Sequence, residues 1–251
     1  VLVDFANGSS STLIKKINFF KKVDKINYNY NLNNINYNCG SNYLKKTSKK
    51  LSNKKYDYIL AFDGDADRLT IFKKNYGLIE SEKVAYIFAS FLNSKRKNYI
   101  ISTLISNPGL NVLLKEKKIQ SLKTKVGDRN VINLQEKKNA LLGFETSGHY
   151  SFMNFMDGIY AAGIFLLILS KNEKLILRSL QKKLNYKLYK LNLKKTKKLF
   201  HLKKLMKKKN NLKILLRKSM WEKIYRLYIF YTKEDKKLFL NTKNYLKFLF
   251  K

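Results

Sequence analysis

A run of alternating carboxylates constrains this chain more than any other feature of its sequence. Asp63, Asp65 and Asp67 occupy every second position of the segment Asp63-Gly-Asp-Ala-Asp-Arg68, directly after the apolar run Tyr56–Phe62. A short apolar run bounded by polar residues and glycine predicts a buried strand that ends in a tight loop. Carboxylates this close repel one another unless a cation lies between them. The segment therefore predicts a metal-binding loop, with Mg²⁺ first, because hard divalent ions prefer oxygen ligands.

Two other structures share part of this pattern. A calcium-binding EF-hand loop also begins Asp-x-Asp-x-Asp, but it needs Gly at its sixth position and Glu at its twelfth. This chain has Arg68 and Lys74 there, and the flanking residues are typical of strands, so the EF-hand is excluded. A solvated acidic turn remains the alternative on these residues alone.

Apolar and amphipathic segments alternate along the N-terminal part of the chain. The segments are Val1–Phe5, Tyr56–Phe62, Val84–Leu92, Tyr99–Ile105 and Gly109–Lys117. Strands and helices in alternation are typical of an α/β fold with a largely parallel sheet. Asn107 precedes Pro108, the only proline, and this pair predicts a helix start with the asparagine as its cap.

The pattern changes towards the C-terminus. After about Leu184 the sequence becomes a Lys-Leu-Asn repetition, which predicts either a linker or a diverged domain. Strand character returns between residues 212 and 231, which favours a small terminal α+β unit. A chain of 251 residues is expected to form two or three compact units.

The charge balance is strongly basic, with 53 Lys and Arg residues against 17 Asp and Glu residues and a net charge of +36. Such an excess is found in proteins that bind nucleic acid or other polyanions. Here the lysines are spread evenly among Asn, Ile, Leu, Tyr and Phe, as a bias towards A and T in the coding DNA would produce. Since nucleic-acid recognition usually needs a basic stripe, we favour compositional bias and keep nucleic-acid binding as the alternative.

Cysteine content and hydropathy predict a cytoplasmic protein. Cys39 is the only cysteine, so no intrachain disulfide can form, and no segment resembles a signal or transit peptide. The longest apolar run, Ile159–Leu169, is shorter than the roughly 20 residues that a membrane crossing needs, and it predicts a buried helix. The chain begins at Val1 inside an apolar run, without Met, which predicts a fragment with further sequence upstream.

The carboxylate segment resembles the metal loop of the α-D-phosphohexomutases, and four further segments resemble motifs of that family in the family's order. These are Val3-Asp-Phe-Ala-Asn-Gly8, Thr103-Leu-Ile-Ser-Asn-Pro-Gly-Leu110, Thr124-Lys-Val-Gly-Asp-Arg129 and Gly143-Phe-Glu-Thr-Ser-Gly-His149. Each match is short, but five in the correct order are not chance. Asn34-Ile-Asn36 followed by Cys39-Gly-Ser41 is most similar to the phosphoglucosamine mutase branch.

The resemblance implies a fold of two consecutive phosphohexomutase-type α/β domains with mixed, mostly parallel sheets, plus a small C-terminal α+β unit. The expected domain boundaries are 1–94, 95–184 and 185–251. It also implies a mutase reaction on a phosphosugar, in which a phosphoserine donates its phosphoryl group and takes phosphate back from the other end of the sugar. Such reactions depend on positioning and electrostatics.

By the same resemblance, Asp63, Asp65 and Asp67 bind Mg²⁺, and Arg68 orients the transferring phosphoryl group. On the substrate side, Glu145 and Ser147 hydrogen-bond sugar hydroxyls, while His149 either orients its neighbours or transfers a proton. Asp128 and Arg129 line the cleft, with a helix cap and a surface arginine as the alternative.

The C-terminal unit resembles the family's phosphate loop, Arg-Lys-Ser-Gly-Thr-Glu-Pro followed by Arg. Arg217, Ser219 and Arg226 are therefore expected to bind phosphate. Met220 and Trp221 replace small residues that would let backbone N–H groups approach the oxygens, which lowers the expected phosphate affinity.

The family's serine loop reads Ser-x-Ser-His-Asn-Pro, and no segment of this sequence matches it. Ser9-Ser-Ser11 follows Asn-Gly and is interpreted as a turn and helix cap. We therefore expect a separate polypeptide to supply the first domain with its phosphoserine. An inactive remnant that folds and binds Mg²⁺ is the alternative.

Overall fold

The computed structural model describes residues 1–30, 32–50, 55–93, 98–194, 213–218, 224–236, 240 and 243. The chain divides into two compact units, one formed by residues 1–106 and 113–182 and the other by residues 107–112 and 183–251. Both units contain β-sheet, and the predicted α/β fold with mixed sheets and a small C-terminal unit is confirmed. The domain boundaries drawn from the sequence stay predictions.

The first unit contains a five-stranded sheet in the order β2-β1-β3-β4-β5. Its strands are β1 (Leu2–Asp4), β2 (Asp24–Ile26), β3 (Tyr58–Ala61), β4 (Thr70–Lys73) and β5 (Gly77–Leu78). The pairs β1–β2 and β1–β3 are parallel, whereas β3–β4 and β4–β5 are antiparallel. Alongside lie a 3₁₀ turn and three helices, which are Ser9–Leu13, α1 (Asn18–Lys21), α2 (Leu44–Lys50) and α3 (Ser81–Leu92).

Strands β1 and β3 are buried at every residue, as expected for central strands covered on both faces. Phe5, Phe20 and Phe62 pack together, and their ring centroids are 4.9 to 5.9 Å apart. Since Phe62 follows β3 directly, this aromatic cluster fixes the point at which the carboxylate segment leaves the sheet.

A second sheet of the first unit has four strands in the order β7-β6-β8-β9. Its strands are β6 (Tyr99–Thr103), β7 (Gln120–Thr124), β8 (Leu142–Phe144) and β9 (Tyr150–Ser151). The remaining helices are α4 (Gly109–Lys115), which begins in the segment 107–112 of the second unit, α5 (Asp128–Lys138) and α6 (Gly158–Gln181). Strand β6 pairs in parallel with β7 and β8, and β9 is antiparallel to β8. The Asn107 side chain accepts a hydrogen bond from Gly109 N at 2.9 Å, which confirms the predicted start of α4.

Helix α6 contains the longest apolar run of the sequence, but only one of its faces is buried. Phe165 is fully buried, whereas Leu167 is 38% exposed. The helix begins after Asp157, whose carboxylate accepts from Tyr160 N at 2.9 Å. It is interrupted at Asn172, which has non-helical backbone angles. Within the described residues, no helix is both long and apolar enough to cross a membrane.

The second unit contains an antiparallel sheet in the order β10-β12-β11. Its strands are β10 (Lys187–Lys194), β11 (Lys213–Lys218) and β12 (Ile224–Tyr231). The central strand β12 buries Leu227, Tyr228, Ile229 and Phe230. The first part of the Lys-Leu-Asn repetition is therefore a paired strand and not a linker, because β12 offers an apolar partner far along the chain. Residues 195–212 lie outside the described residues.

Candidate functional site

The carboxylate segment forms a loop at the end of β3, as predicted. One oxygen from each of Asp63, Asp65 and Asp67 lies within 4.8 Å of the others. Burial, with the negative charge of Asp67 next, raises the pKa of Asp63 to about 6. Asp67 Oδ1 is buried and has no hydrogen-bond partner. A compact all-oxygen cluster with an unpartnered buried carboxylate oxygen fits a hard divalent cation such as Mg²⁺.

Backbone contacts hold this loop on two sides. Gly64 O accepts from Ser9 N at 2.8 Å, and Ala66 O accepts from Gly158 N at 3.0 Å. A Cβ atom on Gly158 would lie 2.5 Å from Arg68 O and 2.7 Å from Ala66 O, so no side chain fits between α6 and the loop. The loop is therefore positioned largely by main-chain hydrogen bonds.

The segment between β8 and β9 forms a second loop that contains three of the predicted substrate-binding residues. It closes on itself, since Glu145 N donates to His149 O at 3.0 Å. Glu145 Oε1 accepts from Gly127 N at 2.7 Å, and Ser147 Oγ lies 2.8 Å from His149 Nδ1. The structure thus brings Glu145, Ser147 and His149 together, as the sequence predicted.

The two loops are in direct contact. Leu69 N donates to Gly148 O at 2.9 Å, and Arg68 and His149 form an antiparallel β-bridge. Through the side chains, His149 Nε2 lies 3.1 Å from Asp67 Oδ2. The three carboxylates and the loop of Glu145, Ser147 and His149 therefore form one continuous polar site within the first unit.

The neighbouring carboxylates favour the protonated form of His149. Burial lowers the pKa of His149, but hydrogen bonds to Asp67 and Glu145 outweigh burial and raise it to about 9. The Nε2–H group then donates to Asp67. Arg68 Nε lies 3.2 Å from His149 Nε2 and 3.0 Å from Asp63 Oδ2. Because two protonated groups cannot share a hydrogen bond, we assign the Arg68 Nε–H group to Asp63.

Known proteins are similar to this chain in sequence and in fold. A family model described as phosphoglucomutase/phosphomannomutase, alpha/beta/alpha domain III matches residues 80–186. The phosphoglucosamine mutase of Shouchella clausii (strain KSM-K16) is 32% identical over 182 residues, which is 69% of this chain and 41% of the relative. The chain is therefore similar in sequence to phosphoglucosamine mutases, and residues 80–186 are similar to domain III of the phosphoglucomutase/phosphomannomutase family. It spans about two fifths of the length of the curated relatives that it matches.

Solved phosphohexomutase structures share the fold. A phosphoglucomutase/phosphomannomutase family protein from Burkholderia thailandensis superposes with a TM-score of 0.80 at 20% identity, covering 99% of this chain and 60% of that one. The N-acetylphosphoglucosamine mutase of Aspergillus fumigatus, solved in complex with GlcNAc-6P and magnesium, has a TM-score of 0.75 at 16% identity and covers 96% of this chain and 64% of that one. At these identities the likeness concerns the fold.

The remaining predicted residues are less closely grouped. Asp128 and Arg129 are exposed at the start of α5, and the Asp128 carboxylate accepts from Arg129 N at 2.8 Å. They directly follow Gly127, whose backbone N–H donates a hydrogen bond to Glu145, so the start of α5 lies next to the loop of Glu145, Ser147 and His149. Their roles stay predictions.

In the second unit, Arg217 on β11 lies opposite Arg226 on β12 in the antiparallel register of the two strands. Ser219, together with Met220 and Trp221, lies outside the described residues. The phosphate-binding role of this segment therefore stays a prediction.

Sequence reasoning missed Asp4 at the end of β1. Its carboxylate is fully buried and accepts from Ala6 N at 3.0 Å and from Gly40 N at 2.9 Å. It thereby joins two turns that surround the start of the carboxylate loop, since the next residue along, Ser41, donates its N–H to Phe62 O at 2.7 Å. A charged residue inside an apolar run was the available signal, because a buried charge needs hydrogen-bond partners.

Proposed function

We propose that this chain forms the metal-binding and sugar-binding part of a phosphoglucosamine mutase. The enzyme would interconvert glucosamine 6-phosphate and glucosamine 1-phosphate through a phosphoserine and a bisphosphate intermediate, and so feed UDP-N-acetylglucosamine and cell-wall synthesis. The observation that carries the proposal is the contact between the carboxylate loop and the loop of Glu145, Ser147 and His149. The names of the curated relatives support the choice of sugar.

On the cation side, Asp63, Asp65 and Asp67 would hold Mg²⁺. The ion supplies charge neutralisation to phosphoryl oxygens when it is bound. Arg68 is tied to Asp63 through Nε, and its side chain is 36% exposed, so the guanidinium reaches the open side of the site. A planar guanidinium with several donors suits the orientation of a phosphoryl group.

On the substrate side, Glu145 and Ser147 would bind sugar hydroxyls. The Glu145 carboxylate is an acceptor held in place by Gly127 N, while the exposed Ser147 hydroxyl can both donate and accept. Because Glu145 is 7% exposed, a sugar hydroxyl that bonds to it meets a largely desolvated carboxylate. Such a hydrogen bond discriminates strongly against sugars that lack the hydroxyl.

The phosphoryl donor would come from residues outside these 251, either on a longer chain or on a separate polypeptide. The phosphohexomutase serine loop has no counterpart in these residues. Sequencing the DNA upstream of the codon for Val1 separates the two cases. An in-frame Ser-His-Asn-Pro segment would assign the donor to the same chain, whereas a stop codon would require a separate polypeptide.

Calorimetric titration of the 251-residue chain tests the proposal. We expect saturable Mg²⁺ binding, and tighter binding of glucosamine 6-phosphate than of mannose 6-phosphate or glucose 6-phosphate. A preference for either of the latter would favour a phosphomannomutase or phosphoglucomutase, and no binding of any of them would overturn the proposal. A mutase-deficient strain that carries the encoding gene and its upstream DNA tests whether the enzyme is active. Growth would show an active enzyme, and failure to grow would indicate an inactive remnant.

A further inference from the structure

We propose that His149 is a positioning residue that couples cation binding at the carboxylate loop to phosphosugar binding at the loop of Glu145 and Ser147. The inference rests on the proposed function, because it takes the two loops as the cation site and the sugar site. It adds that the affinity of each site for its ligand depends on whether the other site is occupied.

The first step concerns the cation side of the imidazole ring. His149 Nε2 lies 3.1 Å from Asp67 Oδ2, while Oδ1 of the same carboxylate is buried without a hydrogen-bond partner. One oxygen of Asp67 thus faces the histidine, whereas the other, Oδ1, lies 3.9 Å from Arg68 Nε and makes no hydrogen bond. The rotation of the Asp67 carboxylate is therefore restricted from two sides, by a cation bound to the cluster and by the imidazole ring at Oδ2.

The second step concerns the opposite edge of the ring. His149 Nδ1 lies 2.8 Å from Ser147 Oγ and 3.5 Å from Glu145 Oε2. The ring is therefore hydrogen-bonded to a cation-side group through one nitrogen and to sugar-side groups through the other. With the residue only 9% exposed, water has little access to replace these partners.

The third step concerns the rigidity of the connection. Leu69 N donates to Gly148 O at 2.9 Å, so the backbone that follows the carboxylate loop is joined to the second loop at the residue before His149. Glu145 Oε1 is held by Gly127 N, which leaves Oε2 directed towards the histidine and Ser147. When a cation orders Asp67, the ring, Ser147 and Glu145 are ordered with it. By linkage, a bound sugar must raise cation affinity by the same factor.

The experiment measures that factor in the 251-residue chain. Mg²⁺ is titrated calorimetrically with and without saturating glucosamine 6-phosphate, in the wild-type chain and in His149→Gln. We expect the sugar phosphate to strengthen Mg²⁺ binding about tenfold in the wild type and by less than about twofold in the variant. A residue that only supported the fold would weaken both affinities and leave their ratio unchanged.

Two controls isolate the histidine. Lys138→Gln, at the exposed C-terminal end of α5, should keep the wild-type factor. Inorganic phosphate in place of the sugar reports direct attraction between phosphate and Mg²⁺, and its factor should be the same in wild type and His149→Gln. His149→Asn, with a shorter side chain, serves as the second variant if His149→Gln does not fold.

The outcomes separate this inference from the proposed function. If the wild-type chain binds both ligands independently, or if His149→Gln keeps the tenfold factor, the coupling role is refuted and the two sites stand. If neither ligand binds the wild-type chain, the proposed function itself fails.

Discussion

The two loops of the site are held by different means. The carboxylate loop is fixed mainly by its backbone, through hydrogen bonds from Ser9 N to Gly64 O and from Gly158 N to Ala66 O. The loop of Glu145, Ser147 and His149 is also closed by a backbone hydrogen bond, but side chains add to its support, since Glu145 Oε1 accepts from Gly127 N and Ser81 Oγ donates to Thr146 O at 3.1 Å. A loop fixed by its backbone can carry repelling charges without unfolding. A loop whose side chains also support its fold is expected to lose stability when one of those side chains is replaced.

The largest effect is expected from Gly158→Ala, because the carboxylate loop approaches this glycine too closely for a Cβ atom. We expect a loss of about 3 kcal/mol in the free energy of unfolding, as in other overpacked sites where backbone must move. Gly163→Ala, also on α6, is the matched control, because its Cβ would meet only the Phe19 ring at 3.0 Å. Urea denaturation of both variants checks the prediction, and equal losses would contradict it.

Removing one carboxylate should weaken metal binding strongly and leave the fold intact. Asp65→Asn is expected to weaken Mg²⁺ binding about 100-fold, since even outer partners of a metal site account for 10–100-fold. The melting temperature of the metal-free chain should not fall, because one repulsive charge is removed. The exposed Asp57→Asn carries the same charge change and should bind Mg²⁺ normally. A large drop in the melting temperature of Asp65→Asn would mean that the backbone hydrogen bonds alone do not hold the carboxylate loop.

The loop of Glu145, Ser147 and His149 should respond in the opposite way. Glu145→Gln replaces the carboxylate that binds Gly127 N and faces His149, so we expect about tenfold weaker binding of glucosamine 6-phosphate together with lower stability. Glu136→Gln, exposed on α5, is the control. Calorimetry and thermal denaturation measure the two effects. Weaker binding at unchanged stability would show that Glu145 does not support its loop.

The smallest effect is a pH dependence of Mg²⁺ binding. Burial and the charge of Asp67 raise the pKa of Asp63 to about 6 in the metal-free chain, so a proton competes with the cation below that value. Lowering the pH from 6.5 to 5.5 should weaken Mg²⁺ binding about threefold, and raising it above 7 should change little. Calorimetry at matched ionic strength measures the change, and a flat profile across this range would count against the buried position of Asp63.

The site was partly predictable from the sequence because part of it is local. The spacing of Asp63, Asp65 and Asp67 after an apolar run requires only a strand and a turn, and those form from neighbouring residues. The structural role of Asp4 was not identified, because the charge within an apolar run marks Asp4 alone, whereas its hydrogen-bond partner Gly40 is 36 positions away. The strand at 187–194 was missed for the same reason, since its partner β12 lies beyond residue 223.

The sequence by itself predicted a metal-binding loop, a family resemblance and the α/β fold class, because motif spacing and apolar periodicity are properties of the chain. Only the tertiary structure placed His149 against Asp67, 82 positions apart, and closed the two loops into one site. That contact depends on how two sheets pack and on the hydrogen bond between Leu69 and Gly148. Packing energy is shared among many distant residues, so no single segment of the sequence encodes it.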